Sequence, residues 1–417
     1  MPQHPLPSLA FQTFGCRLNQ AESEGWQSAL ATRGYALTDK TQADVFIVHS
    51  CAVTEPAVKE VTKLLKATRK HAPHQRIILS GCAADLVQGV AIDLRIAHAQ
   101  KAEWLQRVCD FLQTLTPSPH GEVPASPPHR TRASLIIQDG CDQFCAYCIV
   151  PHLRGAPLSE PAERILQRAE ALFAQGYEEI VLTGCHLALY REPTAGFDFI
   201  ELLKRLVDVR GEGRFRIGSL EPCILDDYAL IQLIATCQGR ICNFLHLPMQ
   251  SADDTVLQRM GRRYTQADLR RLIEHIGEQL PGCGLSADWI AGLPGETLEA
   301  FQTTADFISA YPFTGAHVFP YSKRAGTPAA SFADQVPEAE ILRRAKVLRE
   351  RAAAQQHHQL QNLLGKSLEI IPEQARGDYR FGWSAERFHC RVPASYARGK
   401  RIKVTPTAVE GDLFIVT

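Results

Sequence analysis

Apolar and polar residues follow two different periods along the first 115 residues. Short apolar runs predict β-strands at SLAFQTFG, ADVFIVHS and RIILSG. A helical period follows the first two runs, in NQAESEGWQSALATRG and EPAVKEVTKLLKATRKH, and Gly34 stands where the first helix would stop. Strands that alternate with helices favour a small parallel sheet, so residues 1–115 are predicted to form one α/β domain.

A second series of the same kind is predicted over residues 133–364. Helical patterns lie between or after six apolar runs, which are SLIIQD, EEIVLTG, RFRIGS, NFLHLP, GLSADWI and GAHVFP. Six such βα units favour an open or partial (βα)6 barrel. The two series are separated by residues 116–132, where TPSPHGEVPASPPHRT has five prolines in sixteen positions. This composition predicts an extended linker.

The pattern changes again from residue 365 to residue 417, where strands and turns continue without a helical period. We expect a small β-barrel there. Its last part is basic and lies near several aromatic residues, a combination that suits RNA backbones and stacked bases. A solvated strand face above core aromatics is the alternative. The candidate RNA contacts are Arg154, Arg391, Arg398, Lys400, Arg401 and Lys403.

Composition narrows the function classes. The chain is 45% hydrophobic and 22% charged, which is typical of a soluble globular protein. Lys+Arg and Asp+Glu number 45 each, so a nucleic-acid partner would need a local basic surface. Neither a secretory signal nor a membrane span is recognisable, and we expect a cytoplasmic protein without a membrane partner. Thirteen cysteines, an odd number in a long chain, favour metal or redox chemistry over a disulfide framework.

The most specific motif is GCDQFCAYCIVP, which places Cys141, Cys145 and Cys148 within eight residues. Three thiolates can hold three corners of a cubane iron–sulfur cluster and leave one iron without a protein ligand. An open coordination position is typical of a catalytic metal site.

Three further cysteines occupy equivalent places in the first domain. Cys16, Cys51 and Cys82 each follow one of its apolar runs, in TFGC, VHSC and LSGC. Because parallel strands end at the same edge of a sheet, we expect these thiols to converge there. The sequence therefore predicts a second group of three cysteines with an open fourth position.

The two cysteine trios, followed by a basic β-rich tail, resemble the methylthiotransferase family of radical S-adenosylmethionine enzymes. The resemblance implies a flavodoxin-like first domain, a radical S-adenosylmethionine barrel and a TRAM-like third domain. It also implies two 4Fe-4S clusters and S-adenosylmethionine as cofactors. The first trio would hold the auxiliary cluster at which sulfur is delivered, and the second trio would hold the cluster that generates the radical.

Several stretches resemble the branch that methylthiolates N6-threonylcarbamoyladenosine at position 37 of tRNA, above all TFGCRLNQAESE and HVFPYSKRAGTPAA. The implied partners are the tRNA anticodon stem-loop, a sulfur source and a reducing donor such as flavodoxin or ferredoxin. Other branches act on isopentenyladenosine in tRNA or on a ribosomal protein aspartate. Non-enzymatic alternatives are a two-cluster electron-transfer protein and an RNA-binding regulator.

Polar residues at the predicted strand ends are candidates for binding the cofactor. By resemblance, Tyr147 would lie against the adenine of S-adenosylmethionine. Helix capping is the ordinary explanation for a single polar residue at such a position, and only the joint occurrence at one face makes a site. The remaining candidates are Gly184, Ser219, Glu221, Gln250 and Asp288.

Overall fold

The computed structural model describes residues 6–115, 131–225 and 228–416. Most of the predicted linker, residues 116–130, lies outside the described residues. The first segment contains four strands and three α-helices. These are β1 (Leu9–Thr13), α1 (Arg17–Thr32), β2 (Val45–Ser50), α2 (Glu55–His71), β3 (Arg76–Gly81), β4 (Leu94–Ile96) and α3 (Trp104–Gln113).

The first four strands form one parallel sheet in the order β1-β2-β3-β4. On its other side β1 pairs with a single residue, through the bridge between Leu9 and Leu37. If Leu37 is counted as a rudimentary second strand, the order becomes 2-1-3-4-5, which is the flavodoxin-like order. Apolar clusters cover both faces of this sheet, as expected for parallel strands that alternate with helices.

The middle of the chain contains the six strands and six helices predicted from the sequence, together with short additional elements. In chain order they are β5 (Ala133–Ile136), β6 (Gln138–Asp139), α4 (Val150–Arg154), β7 (Leu158–Ser159), α5 (Ala162–Ala174), β8 (Glu179–Thr183), α6 (Phe199–Val207), β9 (Arg214–Ile217), α7 (Ala229–Thr236), β10 (Phe244–Gln250), α8 (Asp254–Arg259), α9 (Gln266–Gln279), β11 (Gly284–Ala291), α10 (Leu298–Ala310), β12 (Gly315–Pro320) and α11 (Glu338–Gln361).

The long strands form two parallel sheets, β5-β8-β9 and β10-β11-β12. Two single bridges, Phe215 to Ile241 and Ser219 to His246, join the edges of these sheets. Alternate residues of each strand, such as Ile180 and Leu182 of β8, belong to the large apolar core. The intervening residues, among them Thr183 of β8 and Asp288 of β11, face the opposite side, where a site can form. No described helix combines the length and the apolarity needed to cross a membrane.

The last segment is β-rich, as predicted. It contains β13 (Leu368–Arg376), β14 (Tyr379–Ser384), β15 (His389–Pro393), β16 (Ile402–Val404), β17 (Ala408–Glu410) and β18 (Leu413–Ile415). They form one sheet in the order β16-β13-β14-β15-β18-β17, in which only the β15–β18 pair is parallel among the described pairings.

A buried charge network attaches this sheet to the amino ends of β8 and β9. Glu179 is fully buried and accepts hydrogen bonds from Arg214 Nε at 2.8 Å and Arg216 Nε at 2.6 Å. Arg214 also donates to Glu369 of β13, and Arg216 donates to the backbone carbonyl of Ser384 at the end of β14. The carboxyl ends of the strands, where the cysteines lie, therefore remain on the opposite side from this contact.

Candidate functional site

The structure brings the first three cysteines to one edge of the N-terminal sheet. Cys16 follows the loop after β1, while Cys51 and Cys82 come directly after β2 and β3. A Cβ atom placed on Gly15 would lie 2.6 Å from Cys51 Sγ, and Gly15 has a φ of +95°. Only glycine suits both this close approach and this backbone conformation. The predicted convergence of the three strand ends is therefore present in the fold.

Burial and mutual proximity raise the pKa of two of these thiols. Burial raises the pKa of the Cys51 thiol and raises that of Cys82 to about 11, and the neighbouring cysteines of the trio contribute in the same direction. Bare thiolates are thus disfavoured in this pocket, whereas a bound cation would compensate their charge. Soft sulfur donors with this spacing fit an iron–sulfur cluster.

The second trio lies in the loop between β6 and α4. Its entry is fixed by Gly140, which has a φ of +72° and approaches Ala156 so closely that an added Cβ would lie 2.1 Å from the Ala156 carbonyl oxygen. The Cys141 amide donates to the Gly155 carbonyl at 3.0 Å, and the Cys148 amide donates to the Cys145 carbonyl at 2.9 Å. The backbone therefore holds the loop in a defined form.

Burial raises the pKa of the Cys141 thiol and raises that of Cys148 to about 12, and the other thiols of the loop add to both shifts. All thirteen cysteines are free thiols, so neither trio is consumed by a disulfide. Cys145 is buried, while Cys141 and Cys148 are half-buried. The donor chemistry of this loop fits the same kind of cluster as the first trio.

Arg262 is a site residue that the sequence analysis missed. Its side chain is 5% exposed, and its Nη1 lies 3.4 Å from both Cys145 Sγ and the hydroxyl of Tyr147. Its Nη2 donates to the carboxylate of Glu221 at 2.7 Å and to the Pro248 carbonyl at 2.8 Å. Arg262 thus connects Cys145 with Tyr147 and Glu221, two of the predicted cofactor residues. In the sequence, its only signal is its position in the basic stretch RMGRRYT.

Arg154 requires a correction, because it was predicted to contact RNA and is instead buried next to Cys82 of the first trio. Its side chain is 3% exposed. The guanidinium donates to Glu22 at 3.1 Å and to Asn19 at 2.6 Å, both in α1, and to Asp139 of β6 at 2.7 Å. Its Nε lies 3.3 Å from Cys82 Sγ. Arg154 therefore joins the N-terminal sheet to the strands of the second domain.

The charges around Arg154 are balanced by several partners. Lys101 contacts both Glu22 and Asp139, and His49 Nε2 lies 2.8 Å from Glu22 Oε2. Although burial opposes ionisation, the hydrogen bond from His49 and the charges of Arg154 and Lys101 hold the pKa of Glu22 well below its usual range. Glu22 is therefore an ionised carboxylate in the interior, and its cations must stay in place.

The strand-end candidates lie on the face opposite the apolar core. Gly184 packs so closely that an added Cβ would lie 2.8 Å from the Gln138 carbonyl oxygen. Ser219 is exposed and bridges to β10, and Gln250 is buried with a φ of +69°. His186, two residues after Gly184, has two buried ring nitrogens without a hydrogen-bond partner. Unpaired buried nitrogens fit a site that accepts a polar ligand such as S-adenosylmethionine.

Asp288 lies between two histidines at the neighbouring strands. Its Oδ1 is 3.1 Å from His246 Nε2 and 3.0 Å from His317 Nδ1. Burial opposes ionisation here as well, but the hydrogen bonds from the two histidines outweigh it and set the pKa of Asp288 at about 2. The carboxylate is therefore ionised and positioned to orient both rings toward the open side of the strands.

The cations of the C-terminal sheet are less available than the sequence suggested. Lys400 and Arg401 both pair with Glu178, at 3.1 Å and 2.9 Å, and Arg391 pairs with Glu410 at 3.2 Å. Arg398 and Lys403 have exposed side chains. Ion pairing within the chain reduces the charge that this surface offers to a phosphate backbone.

Two family profiles match the chain, the Radical SAM superfamily over residues 135–308 and Uncharacterized protein family UPF0004 over residues 8–96. Each match covers one cysteine trio. Among solved structures, the radical S-adenosylmethionine methyltransferase TsrM from Kitasatospora setae has a TM-score of 0.52 at 15% identity, covering 77% of this chain and 75% of that chain. This likeness concerns the fold.

Curated relatives match along most of the chain. Threonylcarbamoyladenosine tRNA methylthiotransferase MtaB of Bacillus subtilis is 35% identical, covering 89% of this chain and 86% of the relative. The protein of the same name from Thermotoga maritima is 32% identical over 88% and 87%. A tRNA-2-methylthio-N(6)-dimethylallyladenosine synthase of Lachnoclostridium phytofermentans is 33% identical over 78% and 76%. With both profiles and these identities over most of its length, the chain belongs to the methylthiotransferase family of radical S-adenosylmethionine enzymes, in its MtaB branch.

Proposed function

We propose that this chain converts N6-threonylcarbamoyladenosine at position 37 of the tRNA anticodon loop to its 2-methylthio derivative. The observation that carries the proposal is the pair of cysteine trios, the first at the edge of the N-terminal sheet and the second in the loop before α4, together with Arg154 of α4, which contacts Cys82 and Glu22 of the first domain and Asp139 of β6. Relatives that bear this activity in their names are 30–35% identical to the chain.

The cysteines are assigned to two 4Fe-4S clusters. Cys16, Cys51 and Cys82 would hold the auxiliary cluster, while the second cluster would be held by the loop residues Cys141, Cys145 and Cys148. With S-adenosylmethionine bound, the second cluster would generate the radical, S-adenosylmethionine would provide the methyl group, and the auxiliary cluster would be the place where the sulfur source delivers sulfur; such a C–H substitution needs a radical because an unactivated C–H bond offers no acid–base route.

The residues around the second trio would position S-adenosylmethionine. Tyr147 and Glu221 are held by Arg262, and Gly184 lets the backbone approach a ligand without a side chain in between. The unpaired nitrogens of His186 offer additional polar contacts. Ser219, Gln250 and Asp288 extend the same face along β9, β10 and β11.

We also propose how the second and third domains are built. The sheets β5-β8-β9 and β10-β11-β12 would form the two walls of a partial (βα)6 barrel, and the bridges between their edges support a continuous wall. The C-terminal sheet would be a TRAM-like domain with Arg398 and Lys403 as its RNA contacts. A reducing donor such as flavodoxin or ferredoxin and a sulfur source are the further partners, and the compartment would be the cytoplasm, where tRNA is modified.

Nucleoside mass analysis of tRNA from a deletion strain tests the proposal. We expect the methylthio group to disappear from threonylcarbamoyladenosine and to return when the chain is expressed again. Loss of the group from an isopentenyl-type adenosine would instead assign the activity named in other relatives at 32–33% identity. An unchanged tRNA profile would contradict both assignments and favour a ribosomal protein target or a non-enzymatic role.

A further inference from the structure

A groove with several cationic side chains lies between α2 and the loop after β12. It has a volume of about 810 Å³. One wall is a face of α2, the opposite wall is formed by residues 323–325, and Ile149 and Leu153 also line the groove. The Glu55 amide at the start of α2 donates to the Ser322 hydroxyl at 3.1 Å, so the two walls are in contact at one end.

The α2 wall is a stripe of lysines. Lys59, Lys63 and Lys66 line the groove and are exposed, at the i, i+4 and i+7 positions of one helix face. This spacing places them along about 10 Å of the helix axis. Lys59 pairs with Glu55 at 2.7 Å, while among the described residues Lys63 and Lys66 lie in no ion pair. Within the described part of the chain, the positive charges of Lys63 and Lys66 are therefore not neutralised by an ion pair.

The opposite wall supplies a cation with an unsatisfied donor. Arg324 is 9% exposed and lines the groove, and its Nε is buried without a hydrogen-bond partner. Leaving such a donor unpaired is costly, which points to a ligand oxygen at this place. Lys323 stands beside it and is exposed.

The groove leads to the cysteine loops. Lys323 and Ala325 also line a second cavity of about 670 Å³, which continues to Phe144 and His152. Phe144 immediately precedes Cys145, has a φ of +46° and is 59% exposed. A large aromatic ring held outward next to a cationic groove is the arrangement that stacks an unpaired nucleobase.

We propose that this groove, which we call the α2 groove, binds the phosphate backbone of the tRNA anticodon stem-loop, with Phe144 as a stacking surface for an unpaired base. The inference rests on the proposed function, since it names the surface through which that substrate would reach the cysteine loops. The main phosphate contact would then lie at the junction of the first two domains. The C-terminal sheet would contribute less, because its Lys400 and Arg401 are paired with Glu178.

An acidic protein, such as an electron donor, is the other class of partner that positive charge could attract. The observations favour RNA, because the cations line a concave channel and the channel ends at an exposed aromatic ring. A flat patch without an aromatic end would suit a protein better.

The test measures binding of a synthetic anticodon stem-loop RNA to the full chain with reconstituted clusters, by fluorescence anisotropy over a range of KCl concentrations. The charge-reversal variant carries Lys63→Glu and Lys66→Glu. The control carries Arg168→Glu and Lys204→Glu on the outer helices α5 and α6, with the same change in net charge.

Removing one lysine–phosphate ion pair should reduce the magnitude of the slope of log affinity against log salt by about 0.7–0.9. The Lys63/Lys66 variant should therefore reduce the magnitude of the slope by about 1.5 and the affinity roughly 30-fold near 0.1 M salt, whereas the control should stay within about twofold of the wild-type chain. The neutral variant Lys63→Gln with Lys66→Gln covers the case in which the reversed charges disturb folding. It should show the same change in slope, because it also removes both lysine–phosphate pairs. Equal affinity and slope in wild type and the neutral variant would overturn the proposal.

Two further outcomes separate this inference from the proposed function. If the lysine variants bind RNA normally but are reduced more slowly by flavodoxin, the groove is a donor site and the inference is wrong. If the wild-type chain binds the stem-loop through these lysines and yet forms no methylthio product, the groove assignment stands and the proposed function fails.

Discussion

Arg154 provides the sharpest test of how the two cysteine trios are coupled. Its truncation to alanine would remove three hydrogen bonds to Glu22 and Asp139, one to Asn19 and one to Cys82 Sγ. Glu22 has a side chain that is 1% exposed, so its charge would remain in the interior with fewer partners.

Removing one partner of a buried charge pair costs about 3–5 kcal/mol. Lys101 still contacts both carboxylates in the variant, so we expect a value near the lower end, about 3 kcal/mol. The destabilisation should appear as weaker attachment of the N-terminal sheet, measured as faster hydrogen exchange in peptides of β1, β2 and β3 and as a lower denaturant midpoint.

In the same variant, cleavage of S-adenosylmethionine and formation of the methylthio product should respond differently. The loop of the second trio and Arg262 belong to the second domain, so cleavage of S-adenosylmethionine should continue. Transfer of sulfur requires the two trios in register, and a displacement of about 1 Å can lower such a rate roughly 100-fold. Methylthio product should therefore fall far more than cofactor cleavage, which chromatography of both products measures.

The matched control is Arg164→Ala. Arg164 is 61% exposed and pairs with Glu160 at 3.4 Å, so its removal should change stability by less than about 0.5 kcal/mol. Wild-type exchange rates and product yield in the Arg154→Ala chain would refute the assignment of Arg154 as the residue that joins the domains.

Three further predictions concern the trios and the strand-end carboxylate. Cys145→Ala should abolish cleavage of S-adenosylmethionine, whereas Cys51→Ala should retain cleavage and lose thiolation. Each variant should contain about half of the wild-type iron. Full product yield from the Cys51 variant would exclude two clusters with separate tasks. Gly15→Ala should lose the auxiliary cluster because its Cβ would lie 2.6 Å from Cys51 Sγ, while Gly176→Ala, with a φ of +88° and no atom within 4 Å of its Cβ, should cost about 1–2 kcal/mol and keep its iron; equal iron in both variants would contradict the steric argument. Because the pKa of Asp288 is lowered to about 2, its ionised form stabilises the fold by about 2 kcal/mol. This stabilisation should be complete above about pH 4 and should decline as the pH falls toward 2. The stability difference between wild type and Asp288→Asn in urea titrations should therefore shrink over that window, and a constant difference would disprove the linkage.

Local periodicity was enough to predict most elements of the first two domains. The helical pattern EPAVKEVTKLLKATRKH corresponds to α2 (Glu55–His71), and the run GAHVFP corresponds to β12 (Gly315–Pro320). Such agreement is expected because the spacing of apolar residues within a segment determines which face it can bury. In the first domain, β4, α3 and the rudimentary strand at Leu37 were not predicted; β4 has three residues and Leu37 is a single bridged residue, so neither is long enough to show a period.

The position of the cysteines was also readable from the chain. Cys51 and Cys82 directly follow predicted strands, and parallel strands bring their ends to one edge irrespective of the distant sequence. The close spacing of the second trio required no tertiary information at all.

What the sequence alone determined was therefore the alternation of strands and helices and the two groups of thiols at strand ends, because both depend on residues that are neighbours in the chain or on simple topology. The tertiary structure decided which charges are available. Arg154, predicted to contact RNA, is buried against Glu22, and Lys400 is paired with Glu178, more than 100 residues away in each case. Ion pairs between such distant residues follow from how whole domains pack, and no local pattern of polar and apolar positions records them.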